Sequence, residues 1–145
     1  MEKLSERFDV KKLNAEVSPA PVRQKNFSLY YKGSWYSLTP KAEFLKDLDV
    51  IAALDVSILQ NLFLGPVLGI KDPRTDKRID FVGGSHPLSR LEEWVNGGGF
   101  AMAFALYATS IDELKAVADA GGLMPPKSTW FFPKLRSGLF IYPLQ

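Results

Sequence analysis

A cation and two hydroxyls stand together at Lys127, Ser128 and Thr129, between the Pro125–Pro126 bend and an aromatic run. A lysine ammonium beside hydroxyl donors is the chemistry that holds a phosphate or a carboxylate. No Asp or Glu follows Asp119, whereas Lys127, Lys134 and Arg136 do, so no local acid competes for an anion there. Lys134 and Arg136 are the expected assistants. The alternative is that the hydroxyls satisfy the backbone of the bend and that Lys127 is simply hydrated. The group is not a P-loop, because no glycine-rich run precedes the lysine.

Gly83, Gly84 and Ser85 are secondary candidates. They precede an expected helix, whose first N–H groups attract anions; the alternative is a tight turn followed by an ordinary cap. Gly97, Gly98 and Gly99 follow a helix and lead into a strand, the reverse of a dinucleotide loop, so they read as a helix stop. Asp72, Asp76 and Asp80 are interleaved with Arg74, Lys77 and Arg78 and lack the dense oxygen spacing of a calcium loop. They read as a salt-bridged surface. His86 has no evident partner for acid–base work and reads as a cap or a hydrated ring. Tyr30, Tyr31, Trp35 and Tyr36 could stack a base or a sugar, but cross-strand packing is the simpler use of an aromatic hairpin.

Composition narrows the field further. There is no cysteine and a single histidine. Disulfides, thiol nucleophiles, Cys-ligated zinc and His-rich metal sites are thereby excluded. No cofactor and no metal are expected. A net charge of +2 gives no reason to expect nucleic acid. The longest strongly apolar run, from Phe100 to Ala108, falls well short of the about 20 residues of a membrane span. The first residues lack an apolar signal core. The expectation is a cytoplasmic protein with no membrane contact.

The elements that must position these residues follow from periodicity. Phe8 and Val10 alternate with charge over 5–13, an edge strand guarded by Lys11 and Lys12. A proline-containing loop, 14–26, leads to a hairpin over 27–38 that turns at Lys32-Gly33, and Thr39-Pro40 should break its second strand. Asp55 looks like the cap of a helix that Gly65-Pro66 should end or kink. A charged loop precedes a short strand over 79–82. Pro87 suits the first turn of a helix capped by Ser85 or His86. The uncharged run from Phe100 to Tyr107 fits a central strand. Ser110 to Glu113 is a capping box opening another helix. Strands over 129–132 and 138–142 close the chain. The sum is one α+β domain over 1–145: a mostly antiparallel sheet of about six or seven strands, with about three helices packed on one face.

The stretch Met124 to Lys134, followed by Ser137, Gly138 and Leu139, resembles the closing signature of a conserved bacterial and archaeal family, domain of unknown function 1015. Val117 to Gly121, Lys77 to Gly84, Leu54 to Val56 and the hairpin of Lys32, Gly33, Trp35 and Tyr36 match as well. Family members are longer, so the resemblance implies that this chain corresponds to their carboxyl-terminal part. Its first partner would then be its own missing amino-terminal region, or a second copy of itself. Longer members carry a Gly-His-His-Arg stretch similar to the nucleotide-handling motif of ParB-like kinases, and nothing in this chain matches it. The resemblance therefore implies a non-catalytic domain of a larger protein. Lys127, Ser128, Thr129, Lys134 and Arg136 would lend an anion-binding wall to a phosphotransfer-type enzyme. The other reading is a structural or protein-interaction domain with no ligand of its own. The isolated chain is expected to be catalytically silent, since no nucleophile–base pair can be assembled from it.

Overall fold

The computed structural model describes residues 1–129. Its organising unit is the aromatic hairpin. β2 (Phe27–Tyr31) and β3 (Ser34–Pro40) pair antiparallel from Phe27↔Leu38 to Tyr31↔Ser34. Lys32 and Gly33 both take positive φ, 49° and 71°, which matches the twist of a two-residue hairpin turn. β1 (Phe8–Lys12) adds to β3 along Phe8↔Pro40 through Lys12↔Tyr36. β4 (Met102–Ala105) pairs with the other side of β2. The sheet order is β1-β3-β2-β4, antiparallel throughout. β3 runs on through Pro40, since a proline at a strand end gives up little pairing, and Lys41 N then donates to Arg7 O at 3.0 Å.

Register sorts the side chains. Phe8, Phe27, Leu29 and Leu38 lie on one face, at most 1% exposed. Helix α2, continuous over 55–68, covers that face through Ile58, Leu59, Phe63 and Leu64. Phe63 meets Phe104 at 5.5 Å, and the short α1 (Glu2–Ser5) closes one side with buried Leu4. On the opposite face, α3 (Ser89–Asn96) lies over Tyr30 and Trp35. Tyr30 Oη donates to Asn96 Oδ1 at 3.1 Å and Trp35 Nε1 donates to Glu92 Oε1 at 2.6 Å. A fourth helix, α4 (Ile111–Asp119), buries Val117 and carries the expected capping box of Ser110 and Glu113.

The class is α+β, but among the described residues the sheet has four strands, not six or seven, and there are four α-helices, with α2 on one face and α3 on the other rather than about three on one. Residues 79–82 form no strand. Arg78 reaches Leu68 O at 3.0 Å and Gly69 O at 3.3 Å, while Asp76 accepts from its N–H and its guanidinium. The turn ending at Arg78 is held against the end of α2, and 79–82 follow it as irregular chain. The expected strand 138–142, and 129–132 from Trp130 on, lie outside the described residues. Among the described residues, no helix is long and apolar enough to cross a membrane.

Gly65-Pro66 does not end α2. The chain widens into a π-turn at Gln60–Leu64, with Gly65 N donating to Gln60 O, and the helix continues to Leu68 before Gly69 (φ 68°) stops it. Pro66 has no N–H to offer the carbonyls of the preceding wide turn, Asn61 and Leu62. Arg7 supplies the missing donor: its Nη1 donates to Leu62 O at 2.7 Å. Replacing Arg7 by Ala strands a part-buried carbonyl, so Arg7→Ala is expected to cost about 1–3 kcal/mol in denaturant unfolding. Arg7→Lys should recover part of that loss, through one amine reaching the same carbonyl.

Candidate functional site

The bend that carries Lys127 is tied down at two points. Ser128 Oγ donates to Pro125 O at 2.5 Å, and Thr109 Oγ1 donates to Ser128 O at 2.9 Å. Lys127 takes φ 59°, a left-handed conformation unusual for a side chain with a Cβ. Lys127 and Thr129 are exposed, and Ser128 is half-buried. The Ser128 hydroxyl proton therefore serves the bend, which is the backbone-satisfying use the sequence also offered for it. Lys134 and Arg136 lie outside the described residues.

Gly83, Gly84 and Ser85 form a turn closed by His86 N donating to Gly83 O at 3.0 Å. α3 begins beyond them at Ser89, after Leu88, whose side chain offers no cap. Neither Ser85 nor the exposed His86 caps it. The structure thus separates these residues from the helix N–H groups they were expected to extend. Asp72 and Asp76 each turn back on their own arginine, with Arg74 Nη2 at 2.8 Å and Arg78 Nη2 at 2.6 Å. The Arg74 guanidinium and its backbone N–H hold the Asp72 carboxyl down to about 2. Asp80 accepts from Phe81 N at 2.7 Å. Among the described residues no group of acidic or histidine side chains is placed to hold a metal. Tyr30 and Trp35 pack on each other at 5.1 Å under α3, which is the cross-strand use of the hairpin.

Sequence reading missed a polar cluster that joins three distant segments. Lys25, in left-handed conformation at φ 62°, donates its backbone N–H to Asp55 Oδ1 at 3.0 Å and to Oδ2 at 3.2 Å. Its Nζ donates to Asp55 Oδ1 at 3.1 Å and to Ala53 O, and stands 4.0 Å from Glu113 Oε1. Glu113 accepts from Ser110 N at 2.9 Å, while Gln24 Nε2 donates to Ser110 Oγ at 3.3 Å. Asp55 is only 8% exposed. Burial pushes its carboxyl above the ordinary 3.8, against the Lys25 N–H and ammonium, and the nearby Glu113 charge adds to the rise. Asp55 is therefore not the cap of α2; the cap position is Leu54. The left-handed lysine has no sequence signature, which is why the cluster could not be foreseen. All its lysine donors face acceptors, so it offers no free nucleophile.

A largely apolar groove of about 310 Å³ runs between α1, α2 and the sheet, lined by Leu4, Leu29, Phe63 and Met102 among others, with the charged Glu2 and Lys3 also in its lining. A shallower pocket of about 300 Å³ lies by Asp80, Glu93, Trp94 and Phe100, where the two rings stack at 5.5 Å.

No family model, no curated protein and no solved structure matches this chain. The geometry stands on its own. Ser110 sits where the cap of α4 meets Gln24 of the long loop. Ser110→Ala removes the cap acceptor and that contact together, and should cost about 0.5–2 kcal/mol in thermal or denaturant unfolding. Ser110→Asp, which keeps a capping oxygen, should cost less.

Proposed function

We propose that this chain is a non-catalytic domain that presents Lys127 and Thr129 to an anionic group, a phosphate or a carboxylate, while Ser128, whose one O–H is given to Pro125 O, braces the bend between them. Lys134 and Arg136 add positive charge from the same carboxylate-free tail. The observation that carries the reading is the double tie on the bend: Ser128 to Pro125 and Thr109 to Ser128, with Lys127 exposed between them. A cation on a pre-ordered bend loses less freedom when it binds. The lysine of the buried cluster is already committed to Ala53, Asp55 and Glu113, which argues against chemistry there. The resemblance of residues 124–139 to the closing signature of the domain of unknown function 1015 family favours the same role. On that reading the domain adjoins an amino-terminal region of a larger phosphotransfer-type enzyme, in a cytoplasmic setting that a cysteine-free chain suits.

A second reading rests on the apolar groove between α1, α2 and the sheet: a protein-interaction domain without a ligand of its own. Calorimetry separates the two. Phosphate, a nucleotide or phosphoserine should give a saturable heat with the parent chain. A charge-assisted hydrogen bond contributes about 1.5–3 kcal/mol, so Lys127→Ala should weaken affinity roughly tenfold or more. Lys127→Gly removes the cation while suiting the positive φ, so it should lose binding without losing stability. A flat trace at millimolar ligand for the parent removes the anion reading and leaves the interaction domain.

A further inference from the structure

We infer that Lys25, Asp55 and Glu113 form a proton-tightened clamp, which ties loop 14–26 to the starts of α2 and α4 more firmly as pH falls. One cation serves two carboxylates. With both acids ionised the cluster carries an excess negative charge in a place where Asp55 is 8% exposed. Among the described residues, the charged groups facing Asp55 are Lys25 from the loop and Glu113 from α4; α2 itself contributes none. Uptake of one proton by Asp55 removes the excess charge. A neutral carboxyl still accepts the Lys25 N–H at 3.0 Å, and Lys25 Nζ keeps Ala53 O and Glu113, while the Nζ–Asp55 Oδ1 bond at 3.1 Å loses its ionic part.

The direction follows from linkage. Closing the clamp takes the Asp55 carboxyl out of water and sets it beside a second carboxylate; opening returns it to water. The closed form therefore binds the proton better, in keeping with a carboxyl held above 3.8. A group whose folded-state value is raised costs stability when ionised. That cost is present above the raised value and is relieved as pH falls through it. An ordinary stabilising salt bridge has the opposite sign: it is lost on acidification. Lys25 lies two positions before buried Phe27, so the clamp also fixes how the chain enters β2.

Amide hydrogen exchange at Lys25, corrected for intrinsic rate, reads the clamp directly, because that N–H is the one bonded to Asp55. Protection in the parent should rise as pH is lowered from about 7 towards 4, each unit of difference between closed and open values being worth about tenfold. Asp55→Asn should hold protection constant over that range, at or above the parent's acidic level. Glu113→Gln keeps a residue suited to the capping box and removes the second charge, so the rise should move to lower pH. Protection that falls or stays level in the parent overturns the inference. So does an Asp55→Asn chain that retains the rise or fails to fold, or a Glu113→Gln chain whose rise stays in place.

Discussion

Everything in this structure answers to the double burial of β2. Four consecutive residues, Phe27, Ser28, Leu29 and Tyr30, are out of solvent. Successive strand residues point to opposite sides, so a strand buried this way needs a layer on each face. α2 provides one with aliphatic and aromatic side chains. α3 provides the other, and there the layer must also satisfy polar atoms. Asn96 and Glu92 do so for the Tyr30 hydroxyl and the Trp35 indole. Buried groups of that kind are costly only when they lack a partner. The hairpin thus dictates both the number of layers and the chemistry of each.

A polar seam runs along the end of the sheet where β2 begins. From Asp55 it passes through Lys25 to the neighbouring Gln24, across to Ser110, and through Thr109 to Ser128 in the bend. Each segment in it is irregular or a helix start, where backbone donors lack internal partners. Side chains take over that task here. The seam links the proposed anion-presenting bend to the buried lysine cluster through these hydrogen bonds and the peptide step from Thr109 to Ser110.

Features encoded by neighbours in sequence were legible. The charged alternation of β1, the Lys32-Gly33 turn and the Ser110 capping box all rest on residues within a few positions of one another. Features resting on distant partners were not. Asp55 has the type and place of a cap, yet its partner Lys25 is 30 positions away and the carboxylate is consumed by it. The run at 79–82 has strand-like composition, but Arg78 spends its donors on the end of α2. The apolar run around β4 was read as a central strand because it carries no charge; among the described residues it pairs with β2 alone, and only Ala105 of its four residues is buried. For the site, the Ser128 hydroxyl is taken by Pro125 O, the alternative the sequence offered to an anion contact. Gly83 to Ser85 falls short of α3 because that helix starts later than Pro87 suggested.

The Arg7 guanidinium on Leu62 makes one helix dependent on a residue 55 positions away. α2 contains a proline and a π-turn, both poor companions for an isolated helix, so local propensity alone would not sustain its second half. Its completion is then a long-range event that waits on docking of the chain just before β1. Contacts of such separation slow folding, because the intervening loop must close before they are rewarded. Synthesis softens that cost. Arg7 leaves the ribosome well before Leu62 and Pro66, so the donor is already available when the carbonyl that needs it appears.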